Sequence, residues 1–283
     1  MRIYIVIPCH NEADFIGQTL TSLVEQTKVA TQIVVVNDQS TDESAAIVAT
    51  FAKAHPYISL VNTTSSTAHL PGSKVIRAFQ KGADTLDDAY DVLCKFDADL
   101  IFPTNYLETI ARHFEQNSKI GMVGGFCYVE KNGNWSLENL TNKDHIRGAL
   151  KAYRKACFKA IGGLKAAMGW DTIDELLAQY HDWHIKTNED LHVQHLKPTG
   201  MTYNTAAKWK QGEAFYGMRY GFALTAIAAF KLALRKKKIR YFFDCIEGYF
   251  RAKQAQKPYL ITSEEGTFVR AHRWKGIRAK IGL

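Results

Sequence analysis

The amino-acid sequence predicts an α/β fold in which helices flank a Rossmann-like, mostly parallel sheet. One observation behind this prediction is that short apolar runs rich in Ile and Val alternate with amphipathic segments of about 10 to 15 residues, as in βαβ units. Another is that a polar cluster directly follows three of these runs. The 283-residue chain is 46% apolar and 23% charged, which excludes disordered, collagen-like and low-complexity proteins.

The first half of the chain contains four predicted strands separated by three predicted helices. Unbroken apolar runs at residues 3–7 and 33–36 are typical of strands that are buried on both faces. Helical segments are recognised by spacing: Ile16, Leu20 and Leu23, for example, recur on one side of a helix. The predicted elements are, in chain order, strand 3–7, helix 12–26, strand 33–36, helix 43–55, strand 58–62, helix 73–83 and strand 91–96.

Polar clusters at residues 8–12, 37–42 and 97–99 follow three of the predicted strands. Because right-handed crossovers place the carboxyl ends of parallel strands at one edge of a sheet, we expect the three clusters to meet there. Ligands of such sheets bind at that edge.

The pattern is less regular after about residue 120. Alternation in residues 190–197 places His195 on the same side as Leu191 and Val193, at the end of a strand. The elements expected in this part are a strand at 120–130, a loop at 132–140, a helix at 144–159, a turn at 162–163 and a helix at 171–181.

Cysteine usage indicates the compartment. The five cysteines are scattered and show no Cys-x-x-Cys spacing, which argues against a disulfide framework and a structural zinc site. The apolar run at the N-terminus is too short for a signal peptide. The sequence therefore predicts a cytoplasmic protein.

Positive charge is concentrated near the C-terminus. Residues 201–283 contain 17 Lys and Arg against 5 Asp and Glu, whereas the whole chain has a net charge of only +8. Aromatic and aliphatic side chains alternate with these basic residues between 221 and 250. This composition favours contact with an anionic membrane surface, peripheral on the inner face of the plasma membrane. The alternative is a helical pair that packs on the rest of the protein with its charges solvated.

Asp97-Ala98-Asp99 presents two carboxylates at the end of a predicted strand. Asp99 can bind a divalent cation while Asp97 contacts a sugar or a bound water. Hard oxygen ligands suit Mg²⁺ or Mn²⁺, which also accept substrate phosphates as ligands. Pairs of this kind also occur in solvated turns, but a position directly after a buried strand favours a binding site.

Three motifs in order resemble those of a known family. They are Ile-Val-Ile-Pro-Cys-His-Asn-Glu at residues 5–12, Ile-Val-Val-Val-Asn-Asp-Gln-Ser-Thr-Asp at 33–42, and Asp-Ala-Asp at 97–99. Together they resemble the inverting glycosyltransferases of family 2, which have the GT-A fold, and the likeness covers roughly residues 1–200. The chain departs from the usual motifs at His10, Asn37 and Gln39, positions that normally contact the nucleobase.

The resemblance implies an enzyme that transfers a sugar from a nucleoside diphosphate sugar to a hydroxyl group of a glycan or lipid-linked acceptor, with Mn²⁺ or Mg²⁺ as cofactor. It implies Asp99 and His195 as metal ligands. It also implies Asp171 as the general base that deprotonates the acceptor, with Asp174 as the alternative. The expected donor-binding residues are Pro8, His10, Glu12, Asp38, Lys74, Arg77, Asp97 and Lys197.

The expected organisation is a GT-A domain over residues 1–205 and a helical, basic region over 206–283. Two other functions stay open at this stage. One is a catalytically inactive GT-A scaffold, suggested by the departures at His10 and Asn37. The other is a nucleic-acid-binding protein that uses the basic C-terminal region. Against it, carboxylates at three strand ends would repel a phosphate backbone, so we expect no nucleic acid as partner.

Overall fold

A computed structural model describes residues 1–64, 72–138, 143–197, 208–280 and 282. The described residues form a nine-stranded sheet in the order β3-β2-β1-β4-β8-β6-β9-β5, with β7 paired to β6. The first four strands are parallel to one another, as predicted. They are β1 (Ile3–Cys9), β2 (Gln32–Asp38), β3 (Ile58–Thr63) and β4 (Val92–Phe96).

Three helices connect these strands at almost the predicted positions: α1 (Ile16–Val24), α2 (Ser44–Ala54) and α3 (Ser73–Ala83). Helix α1 begins four residues later than expected because Glu12 lies in a turn before the helix. This turn is hydrogen-bonded to the start of α2. The Glu12 carbonyl accepts hydrogen bonds from the next turn at 2.9 and 3.0 Å, and its N–H donates to Ser44 Oγ at 2.8 Å. The ends of β1 and β2 are thereby held together where α1 and α2 begin.

The second half completes the sheet with mixed strand directions. β6 is parallel to β9 but antiparallel to β8, which is itself antiparallel to β4. The elements are β5 (Leu100–Ile101), α4 (Tyr106–Gln116), β6 (Ile120–Lys131), β7 (Asn134–Leu137), β8 (Leu150–Arg154), α5 (Lys155–Ala160), α6 (Trp170–Tyr180) and β9 (His184–His195).

Two sequence predictions in this half were wrong. The expected loop at 132–140 contains strand β7, which pairs with the end of β6 through a two-residue turn at Asn132 and Gly133, both at positive φ. The expected helix at 144–159 is helical only in α5, because residues 150–154 fill the gap between β4 and β6 as β8. The Ala, Lys and Arg residues of this segment favour a helix locally, and pairing within the sheet overrides that preference.

The described residues from 208 onward form four helices: α7 (Lys210–Gly217), α8 (Gly221–Arg235), α9 (Arg240–Gln254) and α10 (Ser263–Lys280). Phe215, Met218, Leu224 and Val269 belong to the same hydrophobic core as the sheet, so α7, α8 and α10 pack on the α/β body, and α9 packs on α7 and α8. The expected boundary at residues 205 and 206 lies outside the described residues. Within the described part of the chain, no helix combines the length and apolar character needed to span a membrane.

Candidate active site

The three polar clusters meet, as predicted, in a cavity of about 310 Å³ at the carboxyl ends of β1, β2 and β4. The start of α3 closes one side of it, where Lys74, Val75 and Ala78 line the wall. Seven residues singled out from the sequence line this cavity: Pro8, His10, Glu12, Asp38, Lys74, Asp97 and Asp99.

Hydrogen bonds between the loops after β1 and β2 fix the mouth of the cavity. His10 Nδ1 lies 2.6 Å from the Asp38 carbonyl oxygen, and because a carbonyl only accepts, the proton sits on Nδ1. Asn37, where the family usually has Asp, donates its amide to Asn62 Oδ1 at 2.8 Å and accepts from the Ser40 N–H at 3.1 Å. A carboxylate could not donate to Asn62, so the amide at this position serves the loop structure.

Asp97 is paired with a buried lysine that is not among the residues predicted from the sequence. The Lys95 side chain is 2% exposed and its ammonium donates to Asp97 Oδ1 and, at 3.0 Å, to the Gly148 carbonyl. The ammonium also lies 5.3 Å from the centre of the Trp170 ring. Asp97 itself is 35% exposed and remains open to the cavity.

Asp99, directly before β5, lies close to His195 at the end of β9. His195 Nε2 lies 3.4 Å from Asp99 Oδ2, and His195 Nδ1 lies 3.0 Å from Glu138 Oε2, which also accepts from Arg147 at 2.7 Å. Burial on its own would lower the pKa of His195, but the hydrogen bonds to Asp99 and Glu138 raise it to about 9.

Asp99 and His195 fit a divalent cation as ligands. Asp99 Oδ1 is buried with no hydrogen-bond partner among the described residues, which is costly for a carboxylate oxygen unless another group satisfies it. Mg²⁺ and Mn²⁺ accept such oxygens, and Glu138 orients the imidazole in the way that carboxylates orient metal-binding histidines. A cation held by Asp99 and His195 would replace the proton on His195 Nε2, because an imidazole ligates a metal in its neutral form. Cys127, Glu138 and His195 also lie within 4.8 Å of one another. Burial raises the pKa of the Cys127 thiol to about 12, so it stays protonated and suits these hard cations poorly.

Two carboxylates at the start of α6 have contrasting surroundings. Asp174 is 1% exposed, and its oxygens lie 2.8 and 2.9 Å from Lys151 Nζ and 2.5 Å from the Tyr153 hydroxyl. The Asp171 side chain is 34% exposed, and Oδ2 lies 3.7 Å from His145 Nε2. Burial would raise the pKa of Asp171, but His145 and the charge of Lys151 hold it at about 2.

The loop that contains Gly148 and Ala149 contacts both Asp97 and the start of α6, where Asp171 lies. The Gly148 carbonyl accepts from Lys95, the partner of Asp97, and the Ala149 carbonyl accepts from the Asp97 N–H at 2.8 Å. On the other side of the same loop, a Cβ on Gly148 would lie 2.8 Å from the Trp170 ring and 3.2 Å from Asp171 Cβ. The absence of a side chain at 148 therefore lets the start of α6 approach the edge of the cavity.

Comparison with known proteins identifies the family. Residues 4–162 match the sequence model described as "Glycosyl transferase family 2". The chain belongs to glycosyl transferase family 2. The match covers β1 to α5 and thus both loops at the cavity mouth and the Asp97-Ala98-Asp99 segment.

Curated relatives are distant and longer than this chain. The uncharacterised glycosyltransferase YibD of Escherichia coli is 25% identical over 54% of this chain and 45% of its own length. The probable glycosyltransferase YdaM of Bacillus subtilis is 24% identical over 88% of this chain and 62% of its own length. The poly-β-1,6-N-acetyl-D-glucosamine synthase of Staphylococcus epidermidis is 24% identical over 77% of this chain and 47% of its own length. The chain thus spans about half to three-fifths of these relatives.

Solved structures share the GT-A fold. The mannosyltransferase PcManGT of Pyrobaculum calidifontis, in complex with GDP-Man and Mn²⁺, superposes with a TM-score of 0.57 at 15% identity over 98% of this chain and 80% of its own. TarS 1–349 of S. aureus, in complex with UDP-GlcNAc, gives a TM-score of 0.56 at 18% identity over 82% of this chain and 67% of its own.

The remaining predicted residues of this family 2 member fall outside the cavity or on its rim. Arg77 lies on the exposed side of α3 and is not among the described residues that line the cavity. Lys197 forms an ion pair with Glu12, with Nζ 2.9 Å from Oε1. Glu12 Oε2 is buried without a hydrogen-bond partner among the described residues, so this carboxylate, like Asp99, has an oxygen to offer a ligand.

Sequence reasoning missed four residues that organise the site: Lys95, Glu138, His145 and Lys151. The two lysines did carry a signal, because each interrupts an apolar strand, and buried lysines need charged partners. Glu138 and His145 lie in irregular segments, and nothing in their spacing indicates which side chains they contact.

Proposed function

We propose that this protein transfers a sugar from a nucleoside diphosphate sugar to a hydroxyl group of a glycan or lipid-linked acceptor, with inversion at the anomeric carbon. The observation that carries the proposal is the arrangement around Gly148. The Gly148 carbonyl accepts from Lys95, the partner of Asp97, and the missing Cβ of Gly148 leaves room for Asp171 beside it. A base close to a donor site suits a transfer between two substrates.

The cavity mouth supports binding of the nucleotide. Asp38 can accept from a base N–H, and the His10 ring, whose orientation is fixed by its bond to the Asp38 carbonyl, offers a face for stacking. Lys74 on the cavity wall and Lys197 on the rim bring positive charge toward the diphosphate. Solved relatives hold GDP-Man and UDP-GlcNAc, which supports a nucleotide sugar as donor and leaves its base open.

Asp99 and His195 would hold the cation. When bound, Mn²⁺ or Mg²⁺ would neutralise charge on the diphosphate as it leaves. The presence of Mn²⁺ in PcManGT supports this assignment. Asp97 would contact the donor beside that site, with Lys95 restricting the positions that its carboxylate can take.

Asp171 is the better candidate for the base. Its low pKa keeps it ionised at neutral pH, the form that accepts a proton, and a third of its side chain is exposed to an incoming acceptor. Asp174 is fully engaged with Lys151 and Tyr153 inside the protein, so it would orient the helix instead. In the proposed step the acceptor oxygen attacks the anomeric carbon, Asp171 takes its proton, and the diphosphate leaves with the electron pair of the broken bond. A single base and a single displacement imply inversion.

Two observations bear on the acceptor. The poly-β-1,6-N-acetyl-D-glucosamine synthase among the relatives supports a growing glycan. An acceptor attached to lipid would fit the apolar, basic surface described below.

The proposal is tested by nucleotide release from a panel of nucleoside diphosphate sugars, with Mn²⁺ or with a chelator. Asp99→Asn should abolish metal-dependent release, while Asp84→Asn, which removes an exposed carboxylate at the end of α3, should leave it unchanged. Equal release by Asp99→Asn and the unaltered protein would contradict the metal site. No release from any donor would favour the inactive-scaffold alternative.

A further inference from the structure

Helices α8 and α9 form a hairpin whose outer side is apolar and exposed. Of the ten large hydrophobic side chains that are exposed in the described part of the protein, seven lie on this hairpin. Leu234 and Ile239 at its tip and Phe243 on α9 are each 62% exposed. Such a concentration marks an interaction surface, because single exposed hydrophobic residues are ordinary but contiguous patches are not.

Ring contacts show that the exposed residues of the two helices form one surface, which we call the hairpin face. Phe222 of α8 meets Phe250 of α9 with centroids 5.5 Å apart, near the open end of the hairpin. Near the tip, Phe230 lies 6.3 Å from Phe242, which lies 5.3 Å from Phe243. The hairpin face therefore runs the length of both helices.

The opposite side of the hairpin is already packed. Cys245 and Ala229 are fully buried, and Gly248 approaches the backbone of α7 so closely that a Cβ would lie 2.1 Å from the Trp209 carbonyl oxygen. The hairpin face is thus what remains exposed after the helices have docked on the protein.

Charge at the tip of the hairpin is of one sign. Residues 221–243 contain six basic side chains and no acidic one, and the two acidic residues further along α9, Asp244 and Glu247, pair with Lys208 and Arg251. Four of the six, Arg235 and Lys236 to Lys238, are consecutive at the tip, between the exposed Leu234 and Ile239. A positive φ at Lys237 makes the tight turn that brings the two apolar side chains to the same end.

We propose that the hairpin face docks on an anionic lipid bilayer, with Leu234, Ile239 and the Phe residues at the acyl boundary and the Lys and Arg ammonium and guanidinium groups on lipid phosphates. Interfacial helices combine apolar and basic residues in this way. The 15-residue helix α8 is about 22 Å long, shorter than the hydrocarbon core, so it would lie in the interface.

Charge and side-chain chemistry argue against two other occupants. A second copy of the chain docked tip to tip would bring two clusters of basic residues together, since the acidic residues of α9 already pair with Lys208 and Arg251. Nucleic acid would match the charge and could stack on the Phe rings, but it would leave the aliphatic Leu234 and Ile239, each 62% exposed, without an apolar partner. The proposal does not depend on the transferase activity, since it concerns a surface formed by other residues.

The test is co-sedimentation of the full-length protein with vesicles of phosphatidylcholine alone or of phosphatidylcholine with phosphatidylglycerol. The protein should bind the mixed vesicles, and more weakly at high salt. Leu234→Ser should lower the partition coefficient at least about tenfold. Each of Lys237→Gln and Lys238→Gln should lower it about fivefold. All three side chains are exposed, so the melting temperature should not change.

Matched controls are Val29→Ser, which removes an apolar side chain that is 52% exposed outside the hairpin, and Lys53→Gln, which removes an exposed lysine from α2. Both should bind mixed vesicles as the unaltered protein does. The proposal is overturned if the protein ignores the mixed vesicles at low salt, or if Leu234→Ser weakens binding no more than Val29→Ser. It is also overturned if light scattering shows a dimer that Leu234→Ser dissociates, or if Leu234→Ser leaves vesicle binding intact but abolishes binding to RNA.

Discussion

Asp171 and Asp174 lie one turn apart on α6, and their carboxylates have different hydrogen-bond partners and different exposure. Asp174 faces Lys151 and Tyr153 in the interior, whereas Asp171 has a histidine at 3.7 Å and solvent beside it. Lys151 is 0% exposed and also contacts Glu175, so the three charges form a buried network beneath Asp171. The network fixes the start of the helix that carries the proposed base.

Asp171→Asn should leave donor binding nearly unchanged and reduce transfer by about 10² or more, the loss expected when a general base is removed. Donor affinity and single-turnover transfer rates measured on the same preparation separate the two effects. If Asp171→Asn transfers sugar at the normal rate, the base lies elsewhere.

Asp174→Asn should act on stability. Removing one partner of a buried ion pair costs about 3 to 5 kcal/mol, because Lys151 is left without its closest counter-charge. The free energy of unfolding, measured in urea, should fall by this order. A stable Asp174→Asn protein that no longer transfers sugar would instead make Asp174 the base.

His145 gives the folded protein a pH dependence of known sign. Burial would lower the pKa of His145, but Asp171 and Glu175 raise it to about 9, above the unfolded value of about 6.5. The stabilisation is complete below pH 6.5 and disappears as the pH rises through about 9; its size is about 3 kcal/mol. Urea unfolding between pH 6 and 10 should show this loss. In His145→Gln the loss of stability with rising pH should be smaller by the contribution of His145. Other groups such as His195 contribute equally in both proteins.

At the scale of elements, local sequence predicted structure well where a segment's own pattern and its place in the sheet agree. Residues 3–7 and 33–36 are apolar throughout and become the interior of β1 and β2. Residues 150–154 have helix-forming side chains and still become β8, because β4 and β6 leave a place that only a strand can fill. That information lies in the partner strands, far away in sequence.

Packing of α7 against α9 depends on two glycines. A Cβ at Gly248 would lie 2.1 Å from the Trp209 carbonyl oxygen, and one at Gly212 would lie 1.9 Å from the Cys245 carbonyl oxygen. A side chain at either position would therefore force the backbones of α7 and α9 apart.

Gly248→Ala should therefore destabilise the protein by about 1 to 3 kcal/mol, although alanine favours a helix. The control is Gly276→Ala in α10, where a Cβ meets nothing within 4 Å, and there the helix propensity alone should stabilise by about 0.5 to 1 kcal/mol. Thermal unfolding of both variants measures the difference in sign. Equal changes would contradict the close packing of α7 on α9.

For the molecule as a whole, the sequence was enough to predict the strand-end residues of the cavity, but not the side-chain contacts that hold His195 and Asp171 in place. Pro8 and Asp38 lie at the carboxyl ends of β1 and β2, and Asp97 directly follows β4, so the topology of the parallel strands alone brings them to one edge. The contacts of Glu138 with His195 and of His145 with Asp171 arise from irregular segments that tertiary packing positions. The basic character of the C-terminal helices was evident from composition, whereas the alignment of their aromatic rings into one face required the structure.

The most direct test of the central claim is the thermal stability of the full-length protein with a panel of nucleoside diphosphates and nucleotide sugars, each with and without Mn²⁺. A ligand at 100 times its dissociation constant stabilises by about 2.7 kcal/mol, which is easily seen as a higher melting temperature. We expect one nucleotide class to raise the melting temperature only with Mn²⁺, and Asp99→Asn to abolish this rise. A rise that is independent of Mn²⁺ would contradict the metal site at Asp99 and His195, and the absence of any rise would contradict nucleotide-sugar binding in this cavity.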